Sequence, residues 1–303
     1  MRIGITLPSM GRSATPINLI KAAREAEELG YDTVWVADRL LYPVNPRTPY
    51  EVTPDGSLPE FYKYVLDPLE TLTFVAAHTK QIGLGTSVLD IPFYNPVILA
   101  RRLTTLDVLS GGRLRVGFGL GWSEDEFEAA GASLKERGVR ADEFIQVLKA
   151  IWMNDPVEFH GKYYKVPKSI IRPKPIQKPH PPIYLAAFVP AALKRAATLA
   201  DGWLPAGIPF EAIAQMIPQF KQIAKDAGRD PANLEIIFGS GVHITSKPLQ
   251  KDRSFFTGSL DQIKVDINKV RDLGINELLF MIIENEETID SFLSVMTDMK
   301  RLV

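Results

Sequence analysis

Four short stretches carry side chains whose types and spacing could do chemistry. Asp38 and Arg39 follow an apolar run, TVWVA, as an adjacent acid and base. They could act on a ligand or form a structural ion pair at the end of a strand. Thr86, Ser87, Val88 and Asp90 end another apolar run, where polar side chains have little place in a packed sheet. GLGWSEDEF, residues 119 to 127, has glycines that either admit a ligand to the backbone or permit tight packing. Taken singly, its acids Glu124, Asp125 and Glu126 complement a helix dipole. In AAFVPA, residues 186 to 191, Pro190 reads as the first residue of a helix, whose free amides make an anion cradle or an ordinary helix start.

Other chemistries find no support. His78, His160, His180 and His243 are scattered, without HExxH or a carboxylate cluster at metal spacing, so no metal site is expected. His78 falls in a helical run, and His243 could face a site if its strand continues through GVHI. There is no GxSxG elbow, no P-loop and no cysteine. Few acid–base groups beside apolar and aromatic surface suit a reaction whose hard step belongs to a bound cofactor.

The elements that would position these residues alternate in type. Apolar runs at 2–7, 33–37, 82–87, 114–119, 182–187, 202–206, 234–239 and 277–283 read as strands. Amphipathic helical patterns follow them, such as PINLIKAAREAEELG with Leu19, Ala23, Ala26 and Leu29 on one face and Gly30 as a stop. Eight β-then-α units predict an α/β fold, a (β/α)8 TIM barrel, with its site at the strand C-termini. An open doubly wound sheet is disfavoured, because LPSMGRSATP stands where a dinucleotide fingerprint would be. Insertions are expected at about 38–67, 120–136, 153–181 and 240–257, long enough to carry function. The third contains VEFHGKYYKV, which reads as a β-hairpin, and a stiff tail with six prolines in the 16 residues 167–182.

Residues 1–303 are read as one domain, since barrels of this size exceed the usual domain length. With 35 Lys plus Arg against 36 Asp plus Glu, the net charge of -1 points to neither nucleic acid nor membrane as a partner. MRIGITLPSMGR reads as a first strand and not a signal peptide, and no apolar stretch is long enough to span a bilayer. The expectation is a cytoplasmic protein acting on a small-molecule substrate.

The order VWVADRLLYP, then DPLETLTFVAAHTKQIGLGTSVLDIPFYNPVILARRLTTLDVLSGGRLRVGFGLGW, EFEAAG, KERGVRADEFIQVLKAIW, PKPIQKPHPPIYLAA and RAATLADGWLP resembles the bacterial luciferase-like superfamily. Within it, the chain is most similar to the coenzyme F420-dependent oxidoreductase branch, strongly over residues 1 to about 210. The resemblance implies a flavin or deazaflavin at the strand C-termini and a cis peptide at Ser87-Val88. Asp38 and Ser87 would contact the cofactor ring and Val88 would back it. Ala187, Phe188, Val189, Pro190 and Ala191, with Gly207 and Ile208, would bind its phosphate. Asp38, Arg39 and Trp122 would be the catalytic residues, with Tyr42 on the substrate side.

The departures from the pattern are informative. Ala186-Ala187 replaces a common Gly-Gly. Arg39 and Trp122 stand where sugar-phosphate dehydrogenases of the branch have His and a proton-donating Glu. The resemblance therefore implies F420-dependent hydride transfer to or from an unsaturated or carbonyl substrate, but not sugar-phosphate oxidation, and it leaves the proton donor unassigned. An FMN-dependent monooxygenase fed by a separate reductase is the alternative, and a barrel that binds flavin without catalysis is a third. A homodimer packed through helices two and three is also implied.

Overall fold

The structure, a computed structural model, describes residues 1–250, 252–282 and 288–303. The expected strand residue Ile283, the helix residues Glu286 and Glu287, and Lys251 of the fourth insertion lie outside the described residues. Eight parallel strands form the barrel: β1 (Arg2–Thr6), β2 (Thr33–Val36), β3 (Gly83–Thr86), β4 (Leu114–Gly119), β5 (Ile183–Leu185), β6 (Gly202–Trp203), β7 (Glu235–Gly241) and β8 (Glu277–Met281). Their order around the ring is β3-β2-β1-β8-β7-β6-β5-β4, and β4 pairs back onto β3 to close it. Closure leaves none of the eight with an unpaired edge.

Alternation along each strand separates two apolar layers. Val34, Val36, Ile236, Phe238, Leu278 and Phe280 pack outward under the helices. Trp35, Ile237 and Leu279, their immediate neighbours, form an inner cluster with Tyr184 and Leu204. Val88, Ala206 and Met281 pack against that cluster. Gly85 is what lets Trp35 cross the lumen, since a Cβ there would lie 2.2 Å from the indole ring.

Polar groups close the N-terminal end of the barrel. Glu277, fully buried, accepts from Thr33 Oγ1 at 2.6 Å, from Trp35 Nε1 at 3.0 Å and from Arg2 Nε at 3.1 Å. Glu235 accepts from Arg115 at 2.6 Å and from the Tyr184 hydroxyl, and pairs with Arg2 at 2.8 Å. All of these residues except Trp35, the third of β2, are first or second in their strands, so the network belongs to the end away from the expected site.

Nine helices surround the barrel among the described residues: α1 (Pro16–Glu28), α2 (Pro68–His78), α3 (Pro96–Leu109), α4 (Glu124–Ala129), α5 (Arg137–Met153), α6 (Pro190–Leu199), α7 (Phe210–Asp226), α8 (Leu260–Asp272) and α9 (Ile289–Arg301). Several begin at side-chain caps, as Thr15, Asp67 and Asn95 accept first-turn amides of α1, α2 and α3. The expected hairpin pairs Val157–His160 with Lys165–Ser169. The condition under which His243 would face the site is not met: β7 ends at Gly241, and His243–Ile244 forms a short separate pairing with Thr257–Gly258. His243 is exposed there and does not extend the barrel strand.

Candidate active site

The strand C-termini gather the residues singled out from the sequence into two groups. On β2, β3 and β4 lie Asp38, Arg39, Ser87, Val88, Asp90 and Trp122. On β5 and β6 lie Ala187 to Ala191 and the loop with Gly207 and Ile208. The strand ends are joined directly, since Ala186 N donates to Phe118 O at 2.9 Å and Trp203 Nε1 donates to Ala187 O at 3.0 Å.

Asp38 and Arg39 do not pair with each other, which corrects their reading as an acid–base couple. The Arg39 guanidinium turns to Glu126, 3.3 Å away, with side chains only 5% and 2% exposed. It lies 4.7 Å from the Trp122 ring and 5.5 Å from the Tyr62 ring, and Arg39 Nη2 is buried without a hydrogen-bond partner. Glu126 also accepts from Leu40 N at 2.8 Å. An acid read as dipole complementation is thus the counter-ion that fixes the start of the 38–67 insertion. Trp122 packs against Tyr50 as well, at 5.4 Å between ring centroids, so this insertion and the segment after β4 form one wall. Tyr42 is tied down elsewhere, its hydroxyl donating to Leu58 O at 3.1 Å.

Asp38 receives the Tyr94 hydroxyl at 2.8 Å. Asp90 receives Gly121 N–H at 2.8 Å. Burial pushes Asp38 up to about 6, with Asp67 and Glu126 adding to the shift and the Tyr94 hydrogen bond opposing it. Burial pushes Asp90 up to about 7, aided by Asp38 and Glu126 and opposed by Gly121 N–H and Arg39. The glycines of GLGW serve packing at this point, because a Cβ on Gly119 would lie 2.4 Å from Asp90 Oδ1 and 2.6 Å from Val88 Cγ2. Sequence reading passed over Tyr94 and Tyr62, and gave Asp90 no role. The usable signal was a carboxylate two residues past Val88, on the same face of an extended segment.

A pH dependence follows from these two carboxyls. Their folded values lie above the ordinary carboxylate range, so between about pH 4 and 7 the folded chain holds more protons than the unfolded one. Their contribution to stability therefore falls as pH rises through that window. Each unit is worth about 1.4 kcal/mol, which solvent at the mouth reduces to an expected total of roughly 1–2 kcal/mol. Denaturant melts of the native chain and an Asp38→Asn, Asp90→Asn double variant at pH 5 and 7.5 check this. The native chain should lose ground to the variant at the higher pH, and an unchanged difference would contradict it.

The Ser87-Val88 peptide is cis, as the resemblance implied. Ser87 N donates to Val36 O at 2.8 Å, and Val88 caps the inner apolar cluster. Across the mouth, α6 begins with Pro190 at its first turn and no side-chain cap on its amides. Ala187 is buried, while Phe188 and Val189 are each 57% exposed. Gly207 has φ +68°, a left-handed turn conformation that suits glycine. No group of three or more potential metal ligands occurs among the described residues.

A closed parallel barrel with polar side chains and the uncapped starts of α4, α6 and α7 following its strand C-termini is the architecture of a barrel enzyme. The luciferase-like monooxygenase model matches residues 1–267, and the chain belongs to that family of oxidoreductases. It is 34% identical over 232 residues to an uncharacterized protein of Mycobacterium tuberculosis, covering 76% of this chain and 80% of that one. It is 34% identical over 193 residues to an F420-dependent glucose-6-phosphate dehydrogenase of Amycolatopsis mediterranei, 62% of this chain and 53% of that one. An FMNH2-dependent dimethylsulfone monooxygenase of Pseudomonas putida matches at 33% over 155 residues, 50% of this chain and 42% of that one. The structure of monooxygenase RslO1 from Streptomyces bottropensis superposes with a TM-score of 0.83 at 22% identity, over 100% of this chain and 98% of that one, a likeness of fold.

Proposed function

We propose that the chain is a coenzyme F420-dependent oxidoreductase, passing a hydride between the deazaflavin and a small carbonyl or unsaturated substrate. The observation that carries this is the mouth itself: Val88 presents an apolar floor at the lumen, and the bare N-terminus of α6 faces the same opening from the next strands. A planar ring on Val88, bordered by Asp38 and Ser87, with its phosphate on the amides of Ala191 and Ala192, fits both features. Phe188, Val189, Pro190, Gly207 and Ile208 would border the phosphate, and Arg39, Trp122 and Tyr42 the substrate. The ring would supply the hydride chemistry, and the chain's residues orient it and manage the proton. The longer match to an F420-dependent relative than to an FMN-dependent one favours F420. Arg39 and Trp122 favour a substrate other than a sugar phosphate.

Fluorescence titration with F420 and absorbance titration with FMN test the cofactor. Micromolar FMN affinity without F420 binding would overturn the reading in favour of a reductase-fed monooxygenase. Val189→Asp tests the cradle. It should weaken F420 binding about tenfold or more, equivalent to about 1.4 kcal/mol, while the phosphate-free deazaflavin binds as before. Equal losses for both ligands would remove the phosphate from α6.

The same reading treats residues 1–303 as one cytoplasmic functional unit. No helix among the described residues is long and apolar enough to cross a membrane. A homodimer through α2 and α3 is supported by Phe74, Ile98 and Leu109, which are exposed on those helices at 36%, 62% and 63%.

A further inference from the structure

Three of the carboxylates around the mouth are committed to cations. Asp67 caps α2 and meets Arg102 at 3.4 Å, Asp125 pairs with Arg47 at 2.9 Å, and Glu126 pairs with Arg39. Asp38 and Asp90 have no ion-pair partner among the described residues. Asp38 is occupied on Oδ2 by the Tyr94 hydroxyl.

Asp90 is placed differently. Leu89 and Asp90 run extended beside Phe118 and Gly119, so Val88 and Asp90 share a face. Both border the space where a Gly119 side chain would lie, at 2.6 and 2.4 Å. Since Val88 packs on the inner cluster, Asp90 stands over the lumen one step further out. Gly121 N–H fixes its Oδ1, and Oδ2 has no hydrogen bond among the described residues.

We infer that Asp90 is the proton donor of the reaction, with its Oδ2 turned toward the substrate bound over the lumen. The inference rests on the hydride-transfer reading and assigns the proton that the reading leaves open. As a hydride and its electron pair reach the carbonyl carbon of the substrate, the C=O π pair moves onto oxygen and takes the Asp90 proton. The products are an alcohol and an Asp90 carboxylate, and the latter keeps the Gly121 N–H bond and regains a proton from solvent. In the oxidising direction the same carboxylate accepts the hydroxyl proton. The groups facing Asp90 are Asp38, Glu126 and Arg39. Burial and the two acids favour its protonated form near neutral pH. Asp38 acts here as a positioning charge.

Asp90→Asn keeps the shape and the Gly121 contact but carries no transferable proton. With reduced F420 and 2-cyclohexen-1-one and acetone as probes, the variant should turn over about 10²–10⁴-fold more slowly. The alkaline fall in kcat seen with the native chain should disappear. F420 affinity by fluorescence quenching should stay within about threefold. In the apoprotein, the part of the protonated carboxylic-acid infrared band that titrates near pH 7 should be absent in Asp90→Asn, which leaves the part from Asp38 near pH 6, and Asp38→Asn should move the Asp90 titration to lower pH. Native rate and pH profile in Asp90→Asn, or an Asp90 that titrates near pH 4, would overturn the assignment. A native chain that fails to bind F420 would overturn the cofactor reading instead, while the infrared titration still decides whether Asp90 holds a proton.

Discussion

Glu277→Ala is expected to destabilise the fold by about 3–5 kcal/mol, because it strands buried polar and charged groups. Glu277 is fully buried and satisfies Thr33, Trp35 and Arg2, with Arg115 3.6 Å away. Alanine removes all of these partners together and opens a cavity between β1, β2 and β8. Arg2 and Arg115 would then share Glu235 alone. Glu277→Gln keeps the volume and some of the hydrogen bonds, so its loss should be smaller, roughly 1–3 kcal/mol. Urea denaturation measures both. A loss below about 1 kcal/mol for the alanine variant would mean that the network is solvated in solution.

The second large effect belongs to the other end of the barrel. Glu126→Ala removes the only anion paired with Arg39 among the described residues, together with the acceptor of Leu40 N. The guanidinium, already lacking a partner on Nη2, cannot reach water without breaking its packing on Trp122 and Tyr62. A loss of about 3–5 kcal/mol is expected, together with a weakened wall at the mouth. If the unpaired charge causes the loss, adding Arg39→Met to Glu126→Ala should recover part of it. A double variant no more stable than the single would assign the loss to the cavity and the Leu40 amide.

What the sequence makes legible follows its range. Asn95 before Pro96, and Pro190 at the start of α6, act within one helical turn, so their roles can be read from adjacent letters. The strand runs are similarly local, and β4 matches its expected bounds residue for residue. The Arg39–Glu126 pair and the Tyr94–Asp38 hydrogen bond depend on which strand ends become neighbours when the barrel closes. Tyr94 and Asp38 are 56 residues apart, and no periodicity links them. The condition set for His243 fails for the converse reason. GVHI keeps the apolar rhythm of a strand, but the chain leaves the barrel at Gly241 and the pattern continues on a different partner.

The ion network around Glu277 and the Trp35 ring lying across the lumen fill the barrel below Val88. On the proposed placement, a ring resting on Val88 would lie beneath a substrate at Asp90 and Trp122. The deeper occupant would then arrive first and depart last, an ordered sequence of binding and release set by position before any rate constant is considered.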